Sequence, residues 1–301
     1  MKIAIAGATG FIGKHLVAKL ETLGHEYTII TRYRDRAANV FPLAADIIEW
    51  SPPGKGLEPS QLSGNDALVN LTGTTVAQRW TAKVKQDIRD SRVNTTRLLA
   101  NALINCDKPP AVFVNASAIG FYGSNASSDL DETSPPGSDL LSEICQAWET
   151  ESQRAAFAGI RTINARIGIV LGVEGGALKS MLPPFKFGLG GPIGSGKQWM
   201  SWIHVEDVIG LIIESLANVQ LSGPLNLTAP EPVTNRDFSK TLAQVLGRPA
   251  ILPTPVFALK LLFGEFAQIL GSGQRVLPAE ALSNGYQFRF PKLKTALKDL
   301  V

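Results

Sequence analysis

The sequence predicts an α/β fold, a doubly wound parallel sheet followed by a smaller C-terminal lobe. Two observations carry this. The chain opens with an alternating apolar run, Lys2-Ile3-Ala4-Ile5-Ala6, that ends in glycines at 7, 10 and 13. Next comes an amphipathic stretch whose apolar positions Leu16, Val17, Leu20 and Leu23 share one helical face and stop at Gly24. Beyond it, short apolar runs alternate with helical stretches up to residue 172. With right-handed crossovers, that alternation gives a parallel sheet covered on both faces.

The first unit reads strand, tight turn, helix. Its glycines let backbone amides approach a pyrophosphate, which then sits on the positive end of the helix. The position between an N-terminal strand and a helix makes the pattern specific. The sheet is therefore expected to be Rossmann-type, with Gly7, Thr9, Gly10, Phe11, Ile12 and Gly13 around a dinucleotide.

The next strand is Glu26-Tyr27-Thr28-Ile29-Ile30-Thr31. An acidic residue at its end would take a ribose 2′-hydroxyl and select NAD. Here the chain reads Thr31-Arg32-Tyr33-Arg34. A hydroxyl and a planar guanidinium suit a 2′-phosphate, so the expected cofactor is NADP, with Thr31 and Arg32 as contacts. Arg34 and Arg36 read equally well as a solvated loop. Ala67-Leu68-Val69-Asn70-Leu71 is another strand, and Leu71, Thr72 and Gly73 at its end are expected to pass close to the adenosine half. A helix from Lys83 to Asn105, a strand from Ala111 to Ala116, a helix over about 140–158 and a strand from Arg161 to Ile167 complete the series.

After residue 172 glycine and proline become dense, and Thr234-Asn235-Arg236-Asp237 reads as a capped helix start running to Leu246 and ending at Gly247. The expected division is a nucleotide domain over 1–172, with about 203–220 returning to it, and a mainly helical lobe over 173–301. A small-molecule substrate would sit between them.

A hydrophobic content of 45% supports a proper core, and a net charge of +3 without a basic stripe gives no case for nucleic acid. Cys106 and Cys145 make neither a disulfide framework nor a zinc spacing, and no metal is expected. The stretch Val256 to Leu270 contains Lys260 and Glu265 and is too short to span a bilayer. It reads instead as a helix covering a groove or lying against the main domain. The first strand begins at residue 2, so no leader is expected before the fold, and a reducing, cytoplasmic setting is expected.

With Gly7-Ala8-Thr9-Gly10-Phe11-Ile12-Gly13 and Asn70-Leu71-Thr72-Gly73 in place, the chain resembles the extended short-chain dehydrogenase/reductase superfamily. Four segments narrow the resemblance: Ala118-Ile119-Gly120-Phe121-Tyr122-Gly123, Arg166-Ile167-Gly168-Ile169-Val170-Leu171-Gly172, Gly194 to His204, and Gly273-Gln274-Arg275-Val276-Leu277-Pro278. They look like the atypical "NAD-dependent epimerase" branch with a C-terminal domain of unknown function, whose members are also labelled cell-division inhibitor. The resemblance covers essentially the whole chain and implies an NADP-binding Rossmann fold.

The superfamily's acid–base pair is a Tyr with a Lys four residues later, on the helix after the fifth strand. The lysine and the cofactor charge lower the phenol from its usual pKa of about 10. Aligning Glu149 with the usual glutamate of that helix puts Leu141 at the Tyr position and Cys145 at the Lys position. The remaining catalytic candidates are Ser117 and Tyr122. Ser117 resembles the superfamily serine that hydrogen-bonds the reacting oxygen, although a shift of one residue would put Ala118 there. Tyr122 has Ala126 four residues on, and reads alternatively as a packing aromatic. Cys145 reads as a small apolar helix residue or a thiol facing the cleft.

Trp202-Ile203-His204-Val205-Glu206-Asp207 matches the superfamily element that returns the chain to the sheet, with His204 and Asp207 bracing the junction. Where sugar-nucleotide enzymes carry an Arg, this chain has Met200, which disfavours a nucleotide sugar. Gln198, Trp199 and Trp202 are expected to wall an aromatic, partly apolar substrate pocket, with Lys197 available to an anionic group and Arg79-Trp80 at the rim. Ser91-Arg92 resembles a family element in which the arginine meets the cofactor. Two readings follow. One is an NADP-dependent oxidoreductase or epimerase acting on a small molecule. The other is an NADP-binding regulatory or scaffold protein, linked to cell division, that kept the cofactor site and lost the acid–base pair.

Overall fold

The computed structural model describes residues 1–301 except 53, 55, 125–127 and 251, and gives only the backbone of 258 and 262. Ala126 thus lies outside the described residues. The first part of the chain runs β1 (Lys2–Ala6), α1 (Phe11–Thr22), β2 (Glu26–Thr31), α2 (Arg34–Val40), β3 (Asp46–Glu49), β4 (Ala67–Asn70), α3 (Ala82–Ile104) and β5 (Val112–Ala118). A short 3-10 turn (Ile119–Tyr122), β6 (Asp129–Leu130), α4 (Leu140–Phe157), β7 (Arg161–Ile167) and β8 (Ile169–Leu171) follow, and a second 3-10 turn (Pro59–Leu62) lies before β4. The remainder runs α5 (Gly176–Lys186), β9 (Trp199–Met200), β10 (Trp202–His204), α6 (Val205–Ala217), β11 (Gly223–Leu227), β12 (Val233–Thr234) and α7 (Asn235–Leu246). It ends in α8 (Val256–Phe263), α9 (Phe266–Leu270), β13 (Arg275–Val276), α10 (Ala279–Ser283) and α11 (Leu293–Leu300).

Seven strands form one parallel sheet in the order β11-β7-β5-β4-β1-β2-β3. Strand order reverses between β1 and β4, so a crevice opens at their carboxyl ends, where doubly wound sheets bind ligands. One apolar layer joins Ile3, Ile5, Leu16 and Leu20 to Ile209 and Ile212 of α6. The opposite layer joins Ala4, Leu68 and Phe113 to Leu99 and Leu103 of α3. Both faces of the sheet are thus buried, as the continuous apolar strands require.

A separate apolar cluster, with Leu178, Trp202, Phe238 and Leu297 at its heart, fills the C-terminal lobe. The stretch expected as one helix from Val256 to Leu270 is two. Gly264, at φ 61°, breaks it into α8 and α9. The break packs back on the loop before α3: the Trp80 amide donates to the Phe263 carbonyl at 3.4 Å, and Lys85 pairs with Glu265. Among the described residues no helix is long and apolar enough to cross a membrane.

Candidate cofactor and active site

The turn after β1 is shaped by close approach. Gly7 sits at φ 88°, and a Cβ there would stand 2.7 Å from the Leu71 carbonyl carbon. A Cβ on Gly13 would stand 2.5 Å from the Gly7 carbonyl oxygen. Side chains at either position would push the chain end of β4, or α1 itself, off the loop. Thr9 and Gly10 are exposed above it. Gly10 caps α1 without a side-chain acceptor, and the first turn holds no acidic residue. The free amides and the helix dipole therefore face outward uncompensated, which is an anion site.

Phe11 does something the sequence did not foretell. Its half-buried ring lies in a slot of glycines, where a Cβ on Gly172 or Gly175 would come within 2.3 Å and 2.4 Å of ring carbons. The ring fixes the segment after β8 onto the start of α1.

At the end of β2, the Thr31 hydroxyl accepts a hydrogen bond from the Tyr33 amide at 3.3 Å. Arg32 is exposed and leans over the Tyr33 ring at 5.6 Å, with no carboxylate partner among the described residues. Its donors are free for a ligand. Arg34 donates to the Ile47 carbonyl, which assigns it to bracing β3.

At the carboxyl ends of β4 and β5 lies a buried polar ladder. The Asn70 amide donates to Asn115 Oδ1 at 2.8 Å and Thr96 Oγ1 at 3.0 Å, and Asn70 Oδ1 accepts from the Thr72 hydroxyl and amide. Trp148 Nε1 donates to the same Thr96 oxygen at 2.8 Å. These bonds hold Leu71, Thr72 and Gly73 against the glycine loop. Gly73 passes tightly beside Arg92: a Cβ there would lie 3.1 Å from the guanidinium carbon. Arg92 donates to the Thr74 and Ile88 carbonyls at 3.0 Å each and stacks on Trp148 at 5.2 Å. Burial holds its pKa below the ordinary arginine value, with Cys145 the opposing influence. It is a half-buried cation with no carboxylate partner among the described residues.

The acid–base position is apolar. Leu141 joins a cluster with Trp80, Ile88, Ile144, Phe263 and Phe266. Cys145 is buried, and burial together with the Glu149 charge pushes its thiol up to about 12, so it does not ionise in the neutral range. At 4% exposure it fits the reading as a small apolar helix residue.

The two hydroxyls left as candidates are engaged elsewhere. Ser117, 2% exposed, donates to Glu149 Oε1 at 2.6 Å. Glu149 in turn takes a two-pronged pair from Arg166, Nε and Nη2 each at 2.9 Å. Arg166 Nη1 donates to the Tyr122 hydroxyl at 2.9 Å, and that hydroxyl donates to Asn226 Oδ1 at 2.7 Å. Tyr122 is 2% exposed, and burial, against the pull of Arg166, pushes its pKa up to about 12. With its hydroxyl engaged by Arg166 and Asn226, Tyr122 has in this structure the packing and hydrogen-bonding role that the sequence also offered. Ser117 is likewise turned into the interior. Arg166 and Glu149 are the residues that sequence reasoning left without a role. The signal was there: a charged residue inside an otherwise apolar strand must find a partner.

The expected substrate wall also changes. Trp202 is fully buried, its Nε1 donating to the Glu231 carbonyl at 2.9 Å, so it is a core residue of the lobe. Gln198 is buried too and donates to the Ile193 and Leu270 carbonyls at 3.2 Å each. Trp199 alone of the three keeps partial exposure, and Arg275 stacks on its ring at 5.1 Å.

Gly273-Gln274-Arg275 now has a physical reason. A Cβ on Gly273 would stand 2.1 Å from the Trp199 carbonyl oxygen, so only glycine lets this strap pass. Gln274 donates to the Ile119 carbonyl at 2.8 Å, and Arg275 pairs with Asp129. The strap ties the lobe to the turn after β5. His204 accepts the Glu206 amide at the start of α6, and Asp207 accepts the Arg289 and Phe290 amides at 2.7 and 2.9 Å. Both are braces.

Comparison with known proteins adds the following. The model of the NAD dependent epimerase/dehydratase family matches residues 3–227, and a domain of unknown function, DUF1731, matches residues 254–300. The epimerase family protein YfhF of Bacillus subtilis is 40% identical, covering 100% of this chain and 98% of its own. A chloroplastic epimerase family protein SDR39U1 homolog of Arabidopsis thaliana is 39% identical over 100% of this chain and 87% of its own. Human epimerase family protein SDR39U1 (isoform 2), solved with NADPH, superposes with a TM-score of 0.86 at 34% identity, covering 100% and 99% of the two chains.

Proposed function

Because the chain belongs to the NAD dependent epimerase/dehydratase family, we propose that it binds NADP(H) and serves as an oxidoreductase or epimerase for a small molecule other than a nucleotide sugar. The observation that carries the cofactor is the pair of unpartnered cation and amide sites on one edge of the sheet. The amides of Phe11 and Ile12 at the start of α1, above Gly7 and Gly13, suit a pyrophosphate, while the Gly10 amide closes the loop on the Gly7 carbonyl at 3.1 Å. Thr31 and the free guanidinium of Arg32 suit a 2′-phosphate. Leu71, Thr72 and Gly73 line the adenosine side. Arg92, a cation without a carboxylate, is the remaining donor at that edge. When bound, the cofactor would supply a hydride-transfer centre. The chain's contribution is to hold and orient it, and to exclude water with the Leu141 and Phe266 cluster. That apolar cluster, with the partly exposed Trp199, favours a largely apolar substrate. The human relative solved with NADPH supports the choice of cofactor.

A second reading keeps the cofactor and drops turnover: a regulatory or scaffold protein of the kind linked to cell division. Leu141 and Cys145 favour it, because neither side chain exchanges a proton near neutral pH.

Purified protein is titrated with NADPH and NADH by fluorescence, then mixed with NADPH and a panel of carbonyl metabolites. Loss of the nicotinamide absorbance supports the enzyme. Tight NADPH binding without turnover supports the second reading, and failure to bind NADPH overturns both.

A further inference from the structure

With NADP(H) seated as proposed, each of its anionic groups has a place: the pyrophosphate at the start of α1, the 2′-phosphate at Arg32. Arg92 is then left at the sheet edge with no anion. It stands on α3 beside Gly73, and the Trp148 ring on which it stacks packs against Ala116 of β5. β5 and β2 lie on opposite sides of the switch between β4 and β1. A dinucleotide whose 2′-phosphate is at β2 extends its nicotinamide end toward β5. Arg92 therefore stands on the side where a substrate would react.

The guanidinium is held in one orientation. Nη1 donates to the Thr74 and Ile88 carbonyls, and the Trp148 ring lies 5.2 Å from the guanidinium carbon. Thr74 is itself pinned, its amide donating to Ser91 Oγ at 3.1 Å. Nε and Nη2 have no hydrogen bond or ion pair among the described residues. Neither is shut off from solvent, as the unpartnered Arg275 Nε is. Nη2 borders the exposed Gly73, where an added Cβ would stand 3.2 Å from it. One edge of the fork is thus fixed, open and unpartnered.

That edge has a defined chemistry. Nε and Nη2 are parallel donors spaced for the two oxygens of one carboxylate. Arg166 uses the same two nitrogens on Glu149, each at 2.9 Å. No carboxylate of this chain does so for Arg92 among the described residues, although an uncharged side chain against Trp148 would avoid the cost of a half-buried cation. The neighbourhood is otherwise apolar. Ile88, one turn before Arg92, belongs to a cluster with Trp80, Ile144 and Phe266, against which Leu141 packs. A cation without an acid partner, next to an apolar wall, selects an anion carried on an apolar molecule.

We propose, on the basis of the NADP(H) reading above, that Arg92 grips the substrate's carboxylate through Nε and Nη2, and that the substrate class is an apolar carboxylic acid. The acid end is anchored at α3, and the apolar body lies along the Leu141 side of the crevice.

The full chain is titrated calorimetrically with cinnamate and octanoate, with and without NADPH, and with cinnamamide and octanamide as uncharged counterparts. At least one acid is expected to bind about tenfold or more tighter than its amide. Arg92→Gln is expected to remove that preference while leaving NADPH affinity within about twofold of the wild type. Arg92→Lys keeps the charge but not the fork; it is expected to weaken the acid by about threefold or more, with NADPH affinity again unchanged. Should Arg92→Gln not fold, Arg92→Lys decides. If neither acid binds, or if the variants bind it as tightly as the wild type, the proposal falls. If NADPH affinity drops as far as acid affinity does, Arg92 serves the cofactor and the proposal falls too. If an acid binds through Arg92 but the wild type takes no NADPH, the cofactor reading fails and the carboxylate site stands.

Discussion

Arg166 and Glu149 face each other as a two-pronged ion pair, Nε to Oε1 and Nη2 to Oε2, behind the carboxyl end of β5. Burial works against the guanidinium's charge, while the Glu149 hydrogen bonds and charge outweigh it and hold the arginine above its ordinary value. The Phe121 ring covers the guanidinium at 3.5 Å. Breaking one half leaves the other charged and buried. Arg166→Met is therefore expected to cost about 3–5 kcal/mol of stability in urea unfolding. Pairing it with Glu149→Leu should recover much of that loss, because the orphaned charge goes too.

Tyr122 is the sharper test of structure against catalysis. Its hydroxyl serves Arg166 and Asn226 at once. Tyr122→Phe is expected to lower stability by about 1–3 kcal/mol through two unsatisfied partners. NADPH affinity should be unchanged. A loss of turnover without a loss of stability would restore the phenol to catalysis.

The proposed 2′-phosphate contact of Arg32 makes the choice between NADP and NAD testable. Arg32→Ala is expected to weaken NADPH binding by about 1.5–3 kcal/mol, the loss of a charge-assisted bond. NADH binding should barely change. Equal losses for the two dinucleotides would remove the 2′-phosphate assignment.

His204 gives a pH dependence with a definite sign. Burial holds its imidazole below the ordinary 6.5, against the charges of Asp299 and Glu206. Its Nε2 lies 3.4 Å from the Asp299 carboxylate, outside hydrogen-bond geometry. The unfolded chain takes the proton first, so this contribution to stability is complete above about pH 6.5 and is lost as pH falls through the folded value. Urea unfolding at about pH 7.5 and about pH 5.5 should show a larger drop for the wild type than for His204→Asn, whose side chain can still cap α6. Parallel drops would mean that other groups set the slope.

Much of the sheet was legible because buried parallel strands are rich in Ile, Val, Ala and Leu: β1 and β4 nearly continuously, and β2, β5 and β7 at enough positions to stand out between helical stretches. β3 and β11 were not singled out. β3 has only Ile47 and Ile48 buried, and β11 opens on Gly223 and Pro224, residues that a strand tolerates only at a sheet edge. The glycine loop was legible for the same reason that it is built as it is: Gly7 and Gly13 leave no room for another residue. Side-chain direction was not legible. Gln198, Trp202, Ser117 and Tyr122 are polar or aromatic residues at the right places in the chain, yet each finds its partner inward. Spacing along a sequence does not say which neighbour, substrate or backbone, a donor will meet. The strap Gly273 to Arg275 was visible as a motif, but its reason is a contact with Trp199, 74 positions away in the chain (273 less 199).

Phe11 acts as a peg driven through a socket of three glycines, 172, 175 and 176. A peg transmits displacement in both directions. Any swing of the segment after β8 must drag the first turn of α1, and any tightening of that turn must pull the segment inward. Both sides of the crevice are thereby geared together on this flank. The opposite flank, where Arg32 stands free at the end of β2, has no such linkage. A dinucleotide in the crevice thus lies between one flank whose two sides move as a unit and one whose arginine is left to meet it.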